Sequence, residues 1–522
     1  MENNCNIVDL LVKNATLYPE TIALIKAQKS ISYHALEQRS QQYATFFKKK
    51  GLVETDVALL MIHLSIEFYA IFLGLTRINV CVMLLDPGVG AAYLKSCCES
   101  INPSVWIATP RAEILNYLPE IRKIPKRFST SKLGWLWGGT VLNTIKTAKN
   151  NFQDERTPPH HPALITFTSG STGQPKGIVR THGFLKHQNQ VIAQTLRSQA
   201  GEVQLSTLPV FILAHLAQGV TTVLPNPHFS KMLSEIHQFN IQHILAAPVF
   251  CAQLSLALKT LDLKTIFTGG GPVFPNTLRL LHSVFPKTQI TAVYGSTEAE
   301  PIAELMISDI TPQDWTAIET GAGLLAGTPI KHIQLAILPD AWGTPMGPFH
   351  HADDFRQQCL ESHRVGEILV SGQHVITGYL NPDHNIETKC TVDDTIWHRT
   401  GDAGYIDHQG RLWLLGRCSA KIKTPSGFLY PFAVEAAAMS DPAIQMAAFV
   451  QVKGQKVLAI VLADPKTPPK TDFLKTHFQL DKICRVEKIP MDKRHHSKVL
   501  YTALSDMLSK TELWLSRINL KC

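Results

Sequence analysis

Between residues 57 and 85 the chain is almost continuously apolar, but its breaks are regular. Val57 opens an apolar run that ends at His63, Glu67 follows, and Arg77 and Asn79 precede a second short run. Those polar residues exclude a transmembrane span. They predict a strand over 57–62, a helix over 66–76, a strand over 80–85 and a turn at Asp86-Pro-Gly88, which is a buried βαβ unit. The same alternation returns later. Apolar runs at 244–247, 265–268 and 291–294 read as strands, and 250–258 and 275–284 carry helical periodicity.

Repeated strand–helix units predict an α/β fold with mostly parallel sheets covered by helices and ligands at the carboxyl ends of the strands. The run Thr268-Gly-Gly-Gly-Pro272 and the pair Tyr294-Gly295 both fall where strands are expected to end. After Glu367-Ile-Leu-Val-Ser371 the pattern changes to short strands and turns, and residues 406–414 read as a hairpin. The expected organisation is a large N-terminal core over 1–415, a hinge over 416–420 and a small α+β domain over 421–522, with a tail of about 100 residues.

The chemistry concentrates in Thr168-Ser-Gly-Ser-Thr-Gly-Gln-Pro-Lys-Gly177, entered directly from the apolar run 164–167. Gly170, Gly173 and Gly177 permit backbone shapes closed to other residues, so amides and the hydroxyls of Thr168, Ser169, Ser171 and Thr172 can converge on an anion that Lys176 helps neutralise. A Walker loop would need Gly-Lys-Ser/Thr opening a helix. Here the extended segment 178–180 follows instead, and helical periodicity starts only near Gly183. A solvated Ser/Gly linker would not follow a buried strand in this way.

This loop resembles the phosphate-binding signature of the adenylate-forming superfamily, which contains acyl-CoA synthetases, luciferases, peptide-synthetase adenylation domains and β-lactone synthetases. Further motifs follow in that family's order: Tyr294-Gly-Ser-Thr-Glu298, then Trp397-His-Arg-Thr-Gly-Asp402, then Gly416-Arg417, then Lys498. The resemblance implies that ATP and Mg²⁺ are the cofactors. It implies that Thr168 to Lys176 hold the β- and γ-phosphates, Thr297 contacts the α-phosphate and Glu298 helps bind the metal. Asp402 and Arg417 would hold the ribose. Gly269, Gly270 and Gly271 would approach one face of adenine while Tyr294 with Gly295 flanks the other. Lys498, on a mobile lid, would bridge the substrate carboxylate and the nucleotide.

The apolar segment Leu208-Pro-Val-Phe-Ile-Leu-Ala-His-Leu-Ala-Gln-Gly219 resembles the family's gate at the acyl site, with His215 as the group facing the carboxylate and Phe211 and Gly219 beside it. An apolar stretch with one histidine also describes an ordinary core histidine. Both readings stay open.

Departures narrow the resemblance toward the olefin β-lactone synthetases. The run Asp492-Lys-Arg-His-His-Ser-Lys498 has serine where CoA ligases carry glycine. Ser419 replaces the hinge acid, Ser426 stands before Gly427 where a tunnel glycine is usual, and Glu319-Thr-Gly-Ala-Gly323 follows the second motif. The reading is activation of a fatty or related carboxylic acid as its acyl-AMP with release of pyrophosphate, then attack by a 3-hydroxyl to close a β-lactone. The alternative is a thioester ligase that uses CoA or an acyl carrier protein. A third reading is a nucleotide-binding protein without catalysis. Glu300, beside the expected acyl site, departs from the apolar residues of lactone-forming relatives.

Composition changes this picture little. The chain of 522 residues is 45% hydrophobic and 18% charged, with a formal net charge of +8. That is the profile of a globular protein. Its densest basic runs, Lys48-Lys-Lys50 and residues 123–127, lack interleaved aromatics and read as solvated faces, so no nucleic-acid partner is expected. Ten cysteines without a Cys-x-x-Cys pair argue against a zinc site or a disulfide framework. The first nine residues have no basic or long apolar region, which predicts a cytoplasmic protein without a signal peptide.

Overall fold

The computed structural model describes residues 4–85, 89–142, 152–169, 175–258, 261–425, 427–492 and 498–518, without the side chains of Trp137, Ser169 and residues 511–518. The expected turn at 86–88, the loop residues Gly170, Ser171, Thr172 and Gly173, Ser426 and residues 493–497 of the late motif lie outside the described residues. The chain divides into two compact units. One holds residues 1–245 with 376–385, and the other holds 246–375 with 386–522.

In the first unit the βαβ reading holds. Strands Val57–Met61 and Cys81–Leu84 pair in parallel, and the helix Ile66–Arg77 joins them. Ser65 starts that helix because its hydroxyl accepts the Phe68 amide, filling one of the four unpaired donors at a helix N-terminus. Gly74 lets the helix pack tightly on Tyr33–Lys49, since a β-carbon there would lie 2.5 Å from the β-carbon of Tyr43. The strands belong to a seven-stranded sheet that ends in Pro162–Ser169 and Pro175–Thr181. All its pairings are parallel except this last, antiparallel one. Thr168 at the end of one strand and Lys176 at the start of the next are therefore antiparallel partners. A second sheet carries His243–Ala246, Val203–Ser206, Thr221–Val223 and Ile22–Lys26 in parallel, with Lys29–Ser32 antiparallel at the edge.

In the second unit, Thr265–Gly269 and Gln289–Ser296 pair in parallel. From there the sheet turns antiparallel through Ala299–Met306, Leu324–Pro329, Leu412–Arg417, Thr395–Ile406, Gly366–Ser371 and Gln334–Leu338. The sheets are thus mixed, parallel early and antiparallel late. Tyr294 and Gly295 do not follow a strand but form its last residues, because the strand runs on to Ser296 and folds back in register with Ala299. The hairpin expected at 406–414 is present, with Ile406 opposite Leu412. Beyond it lie a two-stranded sheet (Ile422–Thr424, Gly427–Leu429), a three-stranded sheet (Ile444–Val452, Gln455–Leu462, Lys482–Arg485) and the helices Pro431–Ala438 and Tyr501–Ile518.

Candidate active site

Strand pairing builds the centre of the site in the second unit. Asp402 and Arg417 face each other across adjacent antiparallel strands, and Arg417 Nε lies 3.3 Å from Asp402 Oδ1. The Tyr294 hydroxyl donates to Asp402 Oδ2 at 2.8 Å. Each carboxylate oxygen thus has one partner and retains a second lone pair, so the group can still accept from a vicinal diol. The Arg417 side chain is 43% exposed, which leaves it open to a ligand. Its guanidinium is pushed above the ordinary arginine value, first by the Asp402 charge. Burial and Asp402 push the Tyr294 phenol well above its usual range, so it remains a donor.

Beneath this pair, the side chain of Arg399 is buried. It forms a fork to Glu367 at 3.0 and 2.7 Å and donates to the Thr344 carbonyl at 2.6 Å. Both partners of that ion pair are fully shielded from water, and burial raises the Glu367 carboxyl even though Arg399 opposes the shift. The middle of the Trp397–Asp402 motif is therefore a structural fork, and its end carries Asp402.

Glu298 lies in the turn between the two strands of the 289–306 hairpin. Its charge is felt by Lys389, His398, Arg417 and Lys498. Lys389 is a buried lysine whose ammonium falls to about 7 through desolvation, with Glu298 pulling it back up. Its Nζ lies 3.2 Å from His398 Nδ1, which is also 3.1 Å from the Thr388 carbonyl. Burial, then Lys389, lowers His398 to about 3, so the imidazole is neutral. Sequence reading quoted His398 only inside a motif and missed Lys389. A lysine at the start of a short strand carries no local signal; only the register of Lys389 with His398 brings it to the site.

The charges of that cluster also reach Lys498. Its ammonium is held below the ordinary lysine range by desolvation and the Arg417 charge, with Asp402, Glu298 and Asp492 opposing. Its backbone closes a bracket with Asp492, donating to the Asp492 carboxylate at 2.7 Å and accepting the Asp492 amide at 2.9 Å. The fold thus brings together five of the expected residues, Tyr294, Glu298, Asp402, Arg417 and Lys498. Thr297 neighbours Glu298 in the same turn.

The glycines have local reasons of their own. A β-carbon on Gly269 would lie 2.6 Å from the Val293 carbonyl, and Gly270 has φ +79°. Gly271 follows it in the same turn, and Gly295 approaches the Ala299 carbonyl across the hairpin. Gly323, in the segment that resembled β-lactone synthetases, has φ +96° and would place a β-carbon 2.4 Å from the Leu414 carbonyl, so packing alone requires it.

In the first unit, Thr168 and Lys176 are register partners. The Lys176 ammonium sits 5.6 Å from the centre of the Tyr379 ring. His215 lies in the helix Pro209–Gln218, which ends at Gly219 with φ +76°. It is fully buried and its Nδ1 is 3.0 Å from Thr222 Oγ1, while Nε2 has no hydrogen-bond partner among the described residues. Burial holds it near 3. Phe211, one turn earlier, is buried too. His215 is therefore a neutral histidine, able to share a proton at Nε2 and unable to serve as a cation near neutral pH.

Among the described residues no group of three or more His, Cys, Asp or Glu side chains is gathered as a metal site, and no helix is long and apolar enough to cross a membrane. A lone carboxylate such as Glu298 fits a magnesium ion that takes its other ligands from phosphate oxygens and water.

The sequence profile of the AMP-binding enzyme family matches residues 11–380. The chain belongs to that family, and it is an adenylate-forming ligase. It is 27% identical to the olefin β-lactone synthetase of Stenotrophomonas maltophilia over 96% of this chain and 97% of that one. It is 26% identical to the olefin β-lactone synthetase of Xanthomonas campestris pv. campestris over 96% of each. The fold matches the O-succinylbenzoate coenzyme A synthetase of Bacillus subtilis, solved with ATP and magnesium ion, with TM-score 0.76 and 21% identity over 97% of this chain and 100% of that one.

Proposed function

We propose that this enzyme activates a fatty or related 3-hydroxy carboxylic acid and closes it to a β-lactone. ATP is the energy source; Glu298 would hold Mg²⁺ together with phosphate oxygens, and the ion when bound would supply charge neutralisation at the transferring phosphoryl group. In this reading the segment from Thr168 to Lys176 binds the outer phosphates, Thr297 meets the α-phosphate, and Asp402 with Arg417 holds the ribose. The substrate carboxylate attacks the α-phosphorus, the bond to pyrophosphate breaks, and Lys498 stabilises the charge that develops between the two anions. The substrate's own 3-hydroxyl oxygen then attacks the acyl carbon and loses its proton to water, while the bond from that carbon to the phosphate oxygen breaks and AMP leaves with its electron pair as a four-membered ring closes. Positioning supplies most of that second step, because the nucleophile is already part of the substrate. We also place a hinge at 416–420 and a mobile lid over 421–522.

The observation that carries the adenylation chemistry is the meeting of Tyr294 and Arg417 on the Asp402 carboxylate, at 2.8 and 3.3 Å. Lactone closure is supported by the likeness to two β-lactone synthetases along 96% of the chain and by the Asp492 to Lys498 run. The competing acceptor is a thiol of CoA or an acyl carrier protein. Mass spectrometry of products from a 3-hydroxy fatty acid, with CoA omitted and then supplied, tests the choice. AMP and a product lacking a free carboxylate are expected without CoA. Turnover only with CoA, giving a thioester, would replace this reading with that of an acyl-CoA ligase.

A further inference from the structure

Two short 3₁₀ turns of the first unit, Ala112–Tyr117 and Gly134–Trp137, present large apolar side chains to water. Ile114 is 66% exposed, Tyr117 73%, Leu133 61%, Trp135 64% and Leu136 58%. Single exposed apolar residues are ordinary, but five on adjoining turns are not.

The turns are held firmly from below. The Ser129 hydroxyl donates to the buried Glu113 carboxylate. Gly134 rests on that pair so closely that a β-carbon would lie 2.5 Å from Ser129 Oγ and 3.5 Å from Glu113 Oε1. Arg127 donates to Asn116 Oδ1, and to the Ile121 carbonyl at 2.6 Å. Polar groups thus anchor the inner side while the apolar tips project outward.

Charge selects the partner. Residues 111–136 contain six basic residues and two acidic ones, so this short stretch carries about half of the net +8. Arg111, Arg122, Lys123 and Lys132 are exposed, whereas Glu113 is buried. Aromatic and aliphatic tips flanked along the chain by exposed cations match an anionic lipid surface, where tryptophan and tyrosine settle at headgroup depth and basic side chains meet phosphate. Side chains more than half exposed project; they do not line a cleft into which a protein segment could fit.

We propose that this face docks the enzyme reversibly on anionic membranes, an inference that does not depend on the final acceptor. The test is flotation of the full chain with vesicles of phosphatidylcholine alone and of phosphatidylcholine mixed equally with phosphatidylglycerol. The native chain is expected to bind the anionic vesicles and to leave them at high salt. The double variant Trp135→Ser, Leu136→Ser and the charge variant Arg111→Glu, Lys132→Glu should each bind about tenfold less. Both should release pyrophosphate at the native rate with a short, water-soluble acid. The charge variant keeps the test decisive if the apolar one misfolds. Absence of native binding, native-like binding by both variants, or a dimer lost in the same variants on sedimentation would overturn the proposal.

Discussion

Glu298 is a carboxylate whose charge reaches Arg417, Lys498 and Lys389, and the proposal is that a metal and phosphates enter that cluster. Glu298→Gln keeps the size and removes the hard anionic oxygen, so the variant is expected to need more Mg²⁺ and to adenylate more slowly. A magnesium titration of pyrophosphate release checks this, and a curve identical to native would remove Glu298 from the metal. Lys498→Ala should still bind ATP but lose roughly 10²- to 10³-fold in adenylation rate, the scale of one preorganised donor at developing charge. ATP affinity by calorimetry beside pyrophosphate release separates the two effects. Near-native release would mean that Lys498 is misassigned. These residues were legible in the sequence because each stands in a motif. Lys389 was not, since a neutral-leaning buried lysine is made by its surroundings.

At the scale of elements, Glu435 is the joint. It lies in the helix Pro431–Ala438, accepts the Phe449 amide from the strand Ile444–Val452 and accepts the Tyr501 hydroxyl at the start of the last helix, each at 2.9 Å. Burial raises its carboxyl to about 8, against those two hydrogen bonds. The folded state therefore prefers the protonated acid. Its stabilising effect is complete below about 4.5, the ordinary value, and is lost as pH rises to about 8. Glu435→Gln keeps the acceptor without the titration, so the variant should gain thermal stability over native most clearly at pH 8 and little at pH 4.5. Melting curves at both values decide it, and an equal difference at both would show that Glu435 ionises normally. The clasp of Asp340 to Lys421 at 2.8 Å and to the Tyr430 hydroxyl at 2.7 Å is a second joint, just past the expected hinge.

For the whole molecule the strongest pH dependence comes from histidine. His182, His215 and His398 are buried and each is lowered to about 3, in every case mainly by desolvation. His182 accepts the Ile7 amide at 3.0 Å, which holds it neutral. A group depressed on folding gives stability that is whole above its unfolded value, 6.5 here, and is lost as pH falls toward 3. Each histidine contributes up to about 1.4 kcal/mol per pH unit in that window. Stability to urea should therefore fall steeply below pH 6.5, and His182→Asn should flatten the slope. Unchanged midpoints from pH 6.5 to 4.5 would contradict the neutral assignments.

The sequence by itself determined the βαβ core at 57–85, the strand and helix alternation to residue 294, and the hairpin at 406–414, because burial in parallel strands leaves nearly unbroken apolar runs that polar residues punctuate. It also singled out the motifs proposed here to bear chemistry, since glycine and paired hydroxyls in a fixed order carry a local signal. Tertiary structure alone decided what those motifs meet. Asp402 faces Arg417 only because two antiparallel strands align them, and Arg399 proved a buried fork to Glu367 because its strand faces the core. His215, open between gate and core in the sequence, is buried and neutral. Register and burial bring together residues as far apart in the chain as Glu367 and Arg399 or Tyr294 and Asp402, so no local pattern could have announced them.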